Sequence, residues 1–312
     1  MSIPRSPDAE DLPPPRLEEV SEGVYAYLQL HGQWGLNNAG VLRGRTALTL
    51  VDTCFTVRRA QAFLNTVRSM TDLPMRTLVN THHHGDHTYG NFLVPTATIV
   101  GHELTRQEVL ATGLSTQKLF AEGVDWGDIS IAPPFVTFTD RLTLYVDELR
   151  VDAIFVGPAH TTNDVVYHVP ERRLLFSGDL VFNGGTPFVL MGSVAGSLAA
   201  YQRLRLLEVD TVVPGHGPVC GPEAFDRMAR YLKFIQRVAL DAWSVGVSPL
   251  DVARSVNLGE FSDWHDRERL VGNLHRAYSE LRGEPLGVPF DWLGPVADMV
   301  AYNGGRPLRC LA

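Results

Sequence analysis

The period of the hydrophobic pattern changes repeatedly along this chain. From Gly23 onward three short runs, GVYAYLQLH, NAGVLR and TALTLVD, are rich in β-branched and aromatic residues and are bounded by Gly, Asn or Asp. They predict three strands of an antiparallel sheet. In RRAQAFLNTVRSM, Arg58 to Met70, the apolar residues Ala60, Phe63, Leu64 and Val67 recur at helical spacing, and MRTLVN then returns to a strand. Downstream, TATIVG, FVTFT, TLYV, LRVDAIFVG, VVYHV, RLLFSGD and TVVPGHG predict strands. HELTRQEVLAT, SLAAYQRLRLL and the stretch from Glu223 to about Trp243 predict helices. Two successive sets of strands, each with helices, imply an α/β chain folded as an αβ/βα four-layer sandwich.

The two ends differ in texture from this core. Residues 1–19 are rich in proline and acidic side chains and are expected to be disordered or extended. They lack the apolar stretch of a signal peptide, and no run approaches the ~18 residues of a membrane span. Residues 20–245 carry the sandwich pattern. Residues 246–312 are helical in character, with PLDVARSV, WHDRERLVGNLHRAYSELRG and a Pro/Gly-rich tail. Phe261, Trp264, Leu270, Leu274 and Tyr278 need a partner surface, so this segment is expected to pack on the core and help wall the site.

Composition narrows the function classes. A net charge of −8 argues against nucleic-acid binding, and no membrane partner is expected. Cys54, Cys220 and Cys310 form no CxxC pair, which together with the absent leader points to the cytoplasm. Lys118 and Lys233 are the only lysines among 27 basic residues, a bias that reflects G+C-rich codons rather than chemistry.

The chemistry is concentrated in THHHGDH, Thr81 to His87, which follows the MRTLVN strand. If that turn binds metal, its partners should also sit on loops after strands. His160 in FVGPAHTTND, Asp179 in LLFSGDL and His216 in VVPGHG qualify, each with Gly or Pro beside it to shape a tight turn. In this order, HHHGDH, GPAHTTND, SGDL and PGHG resemble the metallo-β-lactamase-fold superfamily over roughly Val20 to Arg237. The resemblance implies that His82, His84 and His160 hold one metal, that Asp86, His87 and His216 hold a second, and that Asp179 bridges them. Asp86 and Asp179 are then the carboxylates expected in catalysis. Imidazole and carboxylate donors suit two Zn²⁺, with Mn²⁺ or Fe²⁺ as alternatives, and two such ions can polarise a carbonyl and activate water near pH 7.

Other residues have plainer readings. His83 is expected to point away from the ligands, and His31, His102, His168, His265 and His275 to be ordinary loop or core histidines. Cys54 reads as a small buried residue and Cys220 as superfluous to a full ligand set, while Asn37 and Asn38 read as turn residues. Thr161 and Thr162 can brace the His160 loop, and Asp164 is a candidate to orient a ligand histidine. The segment NGGTPFVLMGSVAGSLAA, residues 183–200, with Phe188, Leu190 and Met191, suits an apolar pocket wall.

The expected activity is hydrolysis at a carbonyl centre of a small-molecule acyl substrate. Within the superfamily, residues 183–200 and the helical extension look most like the metal-dependent cyclase/thioesterases of aromatic polyketide biosynthesis, which implies presentation on an acyl carrier protein. A lactonase or glyoxalase-II-like thioesterase is the alternative reading. A non-catalytic metal-binding protein on the same scaffold is the reading from another class, and it would show ligand loss, of which there is none. The oligomeric state, a homo-oligomer included, is left open.

Overall fold

The computed structural model describes residues 12–120 and 123–312, so residues 1–11 of the N-terminal segment lie outside it. A mixed sheet holds β1 (Arg16–Ser21), β2 (Val24–Leu28), β3 (Ala39–Arg43), β4 (Leu48–Val51), β5 (Met75–Val79), β6 (Thr98–His102) and β7 (Val136–Phe138), paired in that order. Pairing is antiparallel through β4 and parallel from there to β7. The second sheet has the order β12-β11-β10-β9-β8, from β8 (Arg141–Val146), β9 (Leu149–Phe155), β10 (Val165–Val169), β11 (Leu174–Phe182) and β12 (Thr211–His216).

Side-chain alternation along each strand builds the layers. Val24, Ala26, Leu28, Val51 and Val79 meet Val151, Ala153, Val165, Tyr167 and Phe176 between the sheets. The opposite face of the first sheet, with Tyr27, Val41, Leu48 and Leu50, covers Ala60, Phe63, Leu64 and Val67 of α1 (Val57–Met70), the four positions expected from the 3.6-residue period. On the far side of the second sheet lie α4 (Val194–Leu204), α5 (Glu223–Trp243) and α7 (Arg269–Leu281), packed over Ile154, Val166, Leu175 and Val181. The remaining helices are α2 (Gly85–Thr88), α3 (Glu103–Thr112), α6 (Pro249–Ser255) and α8 (Leu293–Tyr302).

Three details depart from expectation. The sheet begins at Arg16 rather than after residue 19, because RLEEVS is an edge strand whose Glu and Arg side chains remain partly exposed. Such polar edges suppress stray pairing, and they hide the strand's signal. Helix α4 starts at Val194, where the Ser193 hydroxyl caps it by accepting from the Gly196 N–H at 2.8 Å. Helix α8 lies within the Pro/Gly-rich tail, for which no helix was marked; its Pro295 falls in the first turn, where the missing N–H costs nothing. No helix among the described residues is long and apolar enough to cross a membrane.

Candidate metal centre

The loops after β5 and β9 meet the C-terminal ends of β11 and β12 at one edge of the sandwich. His82, His84 and His160 follow their strands as expected, whereas Asp179 lies within β11, which runs on through a register shift at Gly178 to Phe182, and His216 is the last residue of β12. Two donor groups result: His82, His84, His160 and Asp179, and Asp86, His87, Asp179 and His216. Within each group the donor atoms lie within 4.8 Å of one another. Asp179 belongs to both groups. Its Oδ2 stands 3.3 Å from His160 Nε2 and 3.3 Å from His216 Nε2, while Oδ1 stands 3.0 Å from His87 Nε2. Asp86 Oδ2 is 3.2 Å from His216 Nε2.

Around these donors, other groups set the tautomers. The single Thr81 hydroxyl proton goes to Asp52 Oδ2 at 2.7 Å, so the hydroxyl accepts from His82 Nδ1 at 3.0 Å. His87 Nδ1 donates to Asp52 Oδ2 at 2.9 Å, and His160 Nδ1 donates to the Phe188 carbonyl. Each bond points Nε2 into the cluster, the orientation a metal ligand requires. Burial and neighbouring imidazoles hold His82 and His84 well below the usual histidine range, so both rings are neutral donors. For His87 and His216 burial acts the same way, but the surrounding carboxylates outweigh it; His87 is raised well above its ordinary value and His216 to about 9. Burial favours the neutral form of Asp179 as well, yet the imidazoles hold its carboxyl well below the usual range.

These residues fit divalent cations on a structural test. His82 Nε2, His87 Nε2 and Asp179 Oδ1 are buried without any hydrogen-bond partner among the described residues. His87 Nε2 and Asp179 Oδ1 are close, yet they complete no hydrogen bond. Orphaned polar atoms of this kind are costly unless something coordinates them. Clustering carboxylates and imidazoles around one shared Asp supplies negative charge and lone pairs for two ions.

One orienting residue escaped the sequence reading, and several that it named play other parts. Asp52, at the end of β4, is the orienting carboxylate for His87, and it also accepts from the Thr81 N–H at 2.8 Å. Its only trace in the sequence is an Asp closing an apolar strand. Among the described residues no hydrogen bond joins Asp164 to a ligand ring. Asp164 braces the loop by accepting from the Ala159 and Thr161 N–H groups and the Thr161 hydroxyl. Asn37 and Asn38 are buried clamps rather than surface turns. Asn38 Nδ2 donates to the Pro214 and Gly217 carbonyls, and Asn37 Nδ2 to the Thr53 carbonyl, tying the first sheet to the His216 turn. Cys54 is buried as expected, and burial pushes its thiol up. His83 lines the cavity instead of turning away, and burial lowers its pKa to about 4.

Above the donors opens a cavity of about 240 Å³. Trp34, Phe55, Phe120, Phe188, Phe290 and Trp292 supply aromatic walls, and Glu108, Thr112, Ser115 and Thr116 a polar one. Of the three apolar residues expected at this wall, Phe188 and Met191 line it, whereas Leu190 is fully buried. The extension contributes through Arg269, the 287–290 segment and Trp292. Phe261, Leu270, Leu274 and Tyr278 are buried in the core instead, and the half-buried Trp264 packs against it. From one face of α7, Arg269, Asn273 and Arg276 donate to the carbonyls of Thr186, Pro187 and Leu190, and Asn273 Oδ1 accepts from the Val189 N–H. The extension therefore holds the loop whose Phe188 carbonyl orients His160.

Residues 32–216 match the model of the metallo-beta-lactamase superfamily, more than half of the chain. The chain belongs to this superfamily. Among curated relatives, the alpha subunit of 2,4-dinitroanisole O-demethylase from Nocardioides sp. is 28% identical over 236 residues, 74% of this chain and 64% of that protein. A hydroxyacylglutathione hydrolase from Synechococcus sp. is 33% identical over 147 residues, 45% of this chain and 50% of the relative. The chain thus spans about half to two-thirds of the length of these relatives. A solved metallo-beta-lactamase from Pontibacter korlensis shares the fold with a TM-score of 0.59 and 22% identity, covering 70% of this chain and 99% of that one.

Proposed function

We propose that this superfamily hydrolase uses two divalent cations, zinc foremost, to cleave the thioester or ester of a bulky, ring-bearing acyl group. The observation that carries the reading is the position of the two Asp179-sharing donor groups at the floor of an aromatic-walled cavity. Bound there, the ions would supply Lewis acidity at the carbonyl and activated water at neutral pH. The chain's own residues do the rest. Asp52, Thr81 and the Phe188 carbonyl hold the imidazoles in register, Asp86 and Asp179 face the reacting volume, and the aromatic walls orient the acyl group and exclude bulk water.

An aromatic polyketide carried on an acyl carrier protein is the narrower substrate we favour, released by hydrolysis or closed into a ring first. The cavity's planar walls support it, as does the aromatic substrate in the O-demethylase's name. The second reading, a glutathione thioesterase, is favoured by the 33% identity to a hydroxyacylglutathione hydrolase. Charge weighs against it. Arg269 is the one Arg or Lys side chain among the described cavity-lining residues and is paired with Asp266 at 2.8 Å, while Glu108 would repel the carboxylates of glutathione.

Protein purified without chelators should contain near two equivalents of metal and should hydrolyse aromatic N-acetylcysteamine thioesters. Turnover of glutathione thioesters or acyl lactones, with none of the aromatic thioesters, would overturn the substrate assignment.

A further inference from the structure

His83 stands between two proposed ligands and is not one of them. Its ring centroid lies 4.7 Å from that of His84, and the side chain lines the cavity. Its Nδ1 accepts from Asn163 Nδ2 at 2.9 Å. The same amide nitrogen meets Thr162 Oγ1 at 3.0 Å, and Asn163 Oδ1 accepts from the Thr105 hydroxyl of α3 at 3.1 Å. An amide N–H can only donate, so His83 Nδ1 bears the lone pair and the proton of the neutral ring sits on Nε2. No described residue meets Nε2, and it is not among the sealed, unpartnered atoms of the site. One edge of the ring is thus anchored to the wall, and a directed N–H donor remains beside the donor cluster.

We infer that His83 Nε2–H is a specificity-determining hydrogen-bond donor for an oxygen on the acyl group, close to the scissile carbonyl. This rests on the hydrolase reading above and deepens it: the favoured substrates carry an acceptor oxygen near the carbonyl, as a β-oxo or ortho-oxygenated acyl chain does. A neutral hydrogen bond in a site shielded from water is worth up to about tenfold in discrimination between a substrate that uses it and one that cannot.

The probes are 2-methoxybenzoyl and benzoyl N-acetylcysteamine thioesters for turnover, and the two free benzoic acids for calorimetric binding to the metal-loaded protein. The wild type should prefer the methoxy member of each pair. In His83→Gln, whose amide nitrogen reaches the position of Nε2, the preference should persist. In His83→Leu and His83→Asn it should shrink about five- to tenfold, with the metal content of all forms unchanged. A preference unaltered in the Asn and Leu variants, or lost equally in the Gln variant, overturns the assignment. If the Leu variant does not fold, the Gln and Asn pair decides. The binding arm separates the two inferences: no turnover of either thioester, with the binding preference still tracking His83, sinks the hydrolase reading and leaves the donor standing.

Discussion

The Asp52 carboxylate accepts from His87 Nδ1 at 2.9 Å and from the Thr81 hydroxyl at 2.7 Å, so one buried side chain reaches both donor groups. It orients His87 directly and His82 through Thr81. Replacing Asp52 by Ala frees both rings to rotate or change tautomer. Metal affinity should fall by about 10- to 100-fold, the usual cost of losing such a partner. Competition with a chromogenic chelator measures it, and an unchanged affinity would refute the orienting role.

Helix α7 acts on the site through backbone groups. Replacing Asn273 by Leu orphans the buried Val189 N–H and the Pro187 carbonyl, at a cost on the order of 1–3 kcal/mol each. The loop carrying the Phe188 carbonyl should loosen, so the melting temperature should drop and metal bound through His160 should be lost first. Phe261→Ala is the control. It opens a core cavity and lowers the melting temperature, yet leaves metal content intact.

A methyl group suffices to break the centre at Gly215. A Cβ there would lie 1.9 Å from Asp179 Oδ1 and 2.8 Å from the Asp179 N–H nitrogen. Gly215→Ala should therefore displace the shared carboxylate and abolish activity, with metal analysis showing less than one equivalent. Retention of two equivalents would mean that β11 and β12 can shift apart without cost.

Metal uptake should release protons. Without a cation the carboxylates hold protons on His87 and His216, the latter up to about 9, and a cation must displace them. Affinity should accordingly strengthen as pH rises from 6 towards about 9 and weaken as it falls. Calorimetry in buffers of different ionisation enthalpy reports the number released, and a value of zero at pH 7 would contradict the raised pKa values.

Cys54 should be chemically silent in the native protein. It is fully buried, and burial pushes its thiol well above the usual range, so almost no thiolate exists at neutral pH. Iodoacetamide at pH 7.5 should leave it unmodified until denaturant is added, as peptide mass mapping would show.

Much of this protein is legible in the sequence alone. The period of the apolar positions is a local property, and it located α1, α5 and the central strands, whose buried faces dominate their energetics. The seven residues that the structure gathers into the two donor groups were named from their order along the chain, which carries the family resemblance, and from the Gly or Pro beside each; that Asp179 lies inside a strand and His216 closes one was not legible there. Tertiary structure alone decided the rest. Asp52, Asn38 and Asn273 look like ordinary polar residues; their roles depend on partners distant in the chain, such as His87 for Asp52, Gly217 for Asn38 and Val189 for Asn273. Polar β1 and proline-bearing α8 lack a strong apolar period, since their stability comes from the sheet edge and the helices they join. A hydrogen bond between residues far apart in the chain leaves no periodic signal in either segment, so the geometry that orients the donors appears only once the two sheets are packed.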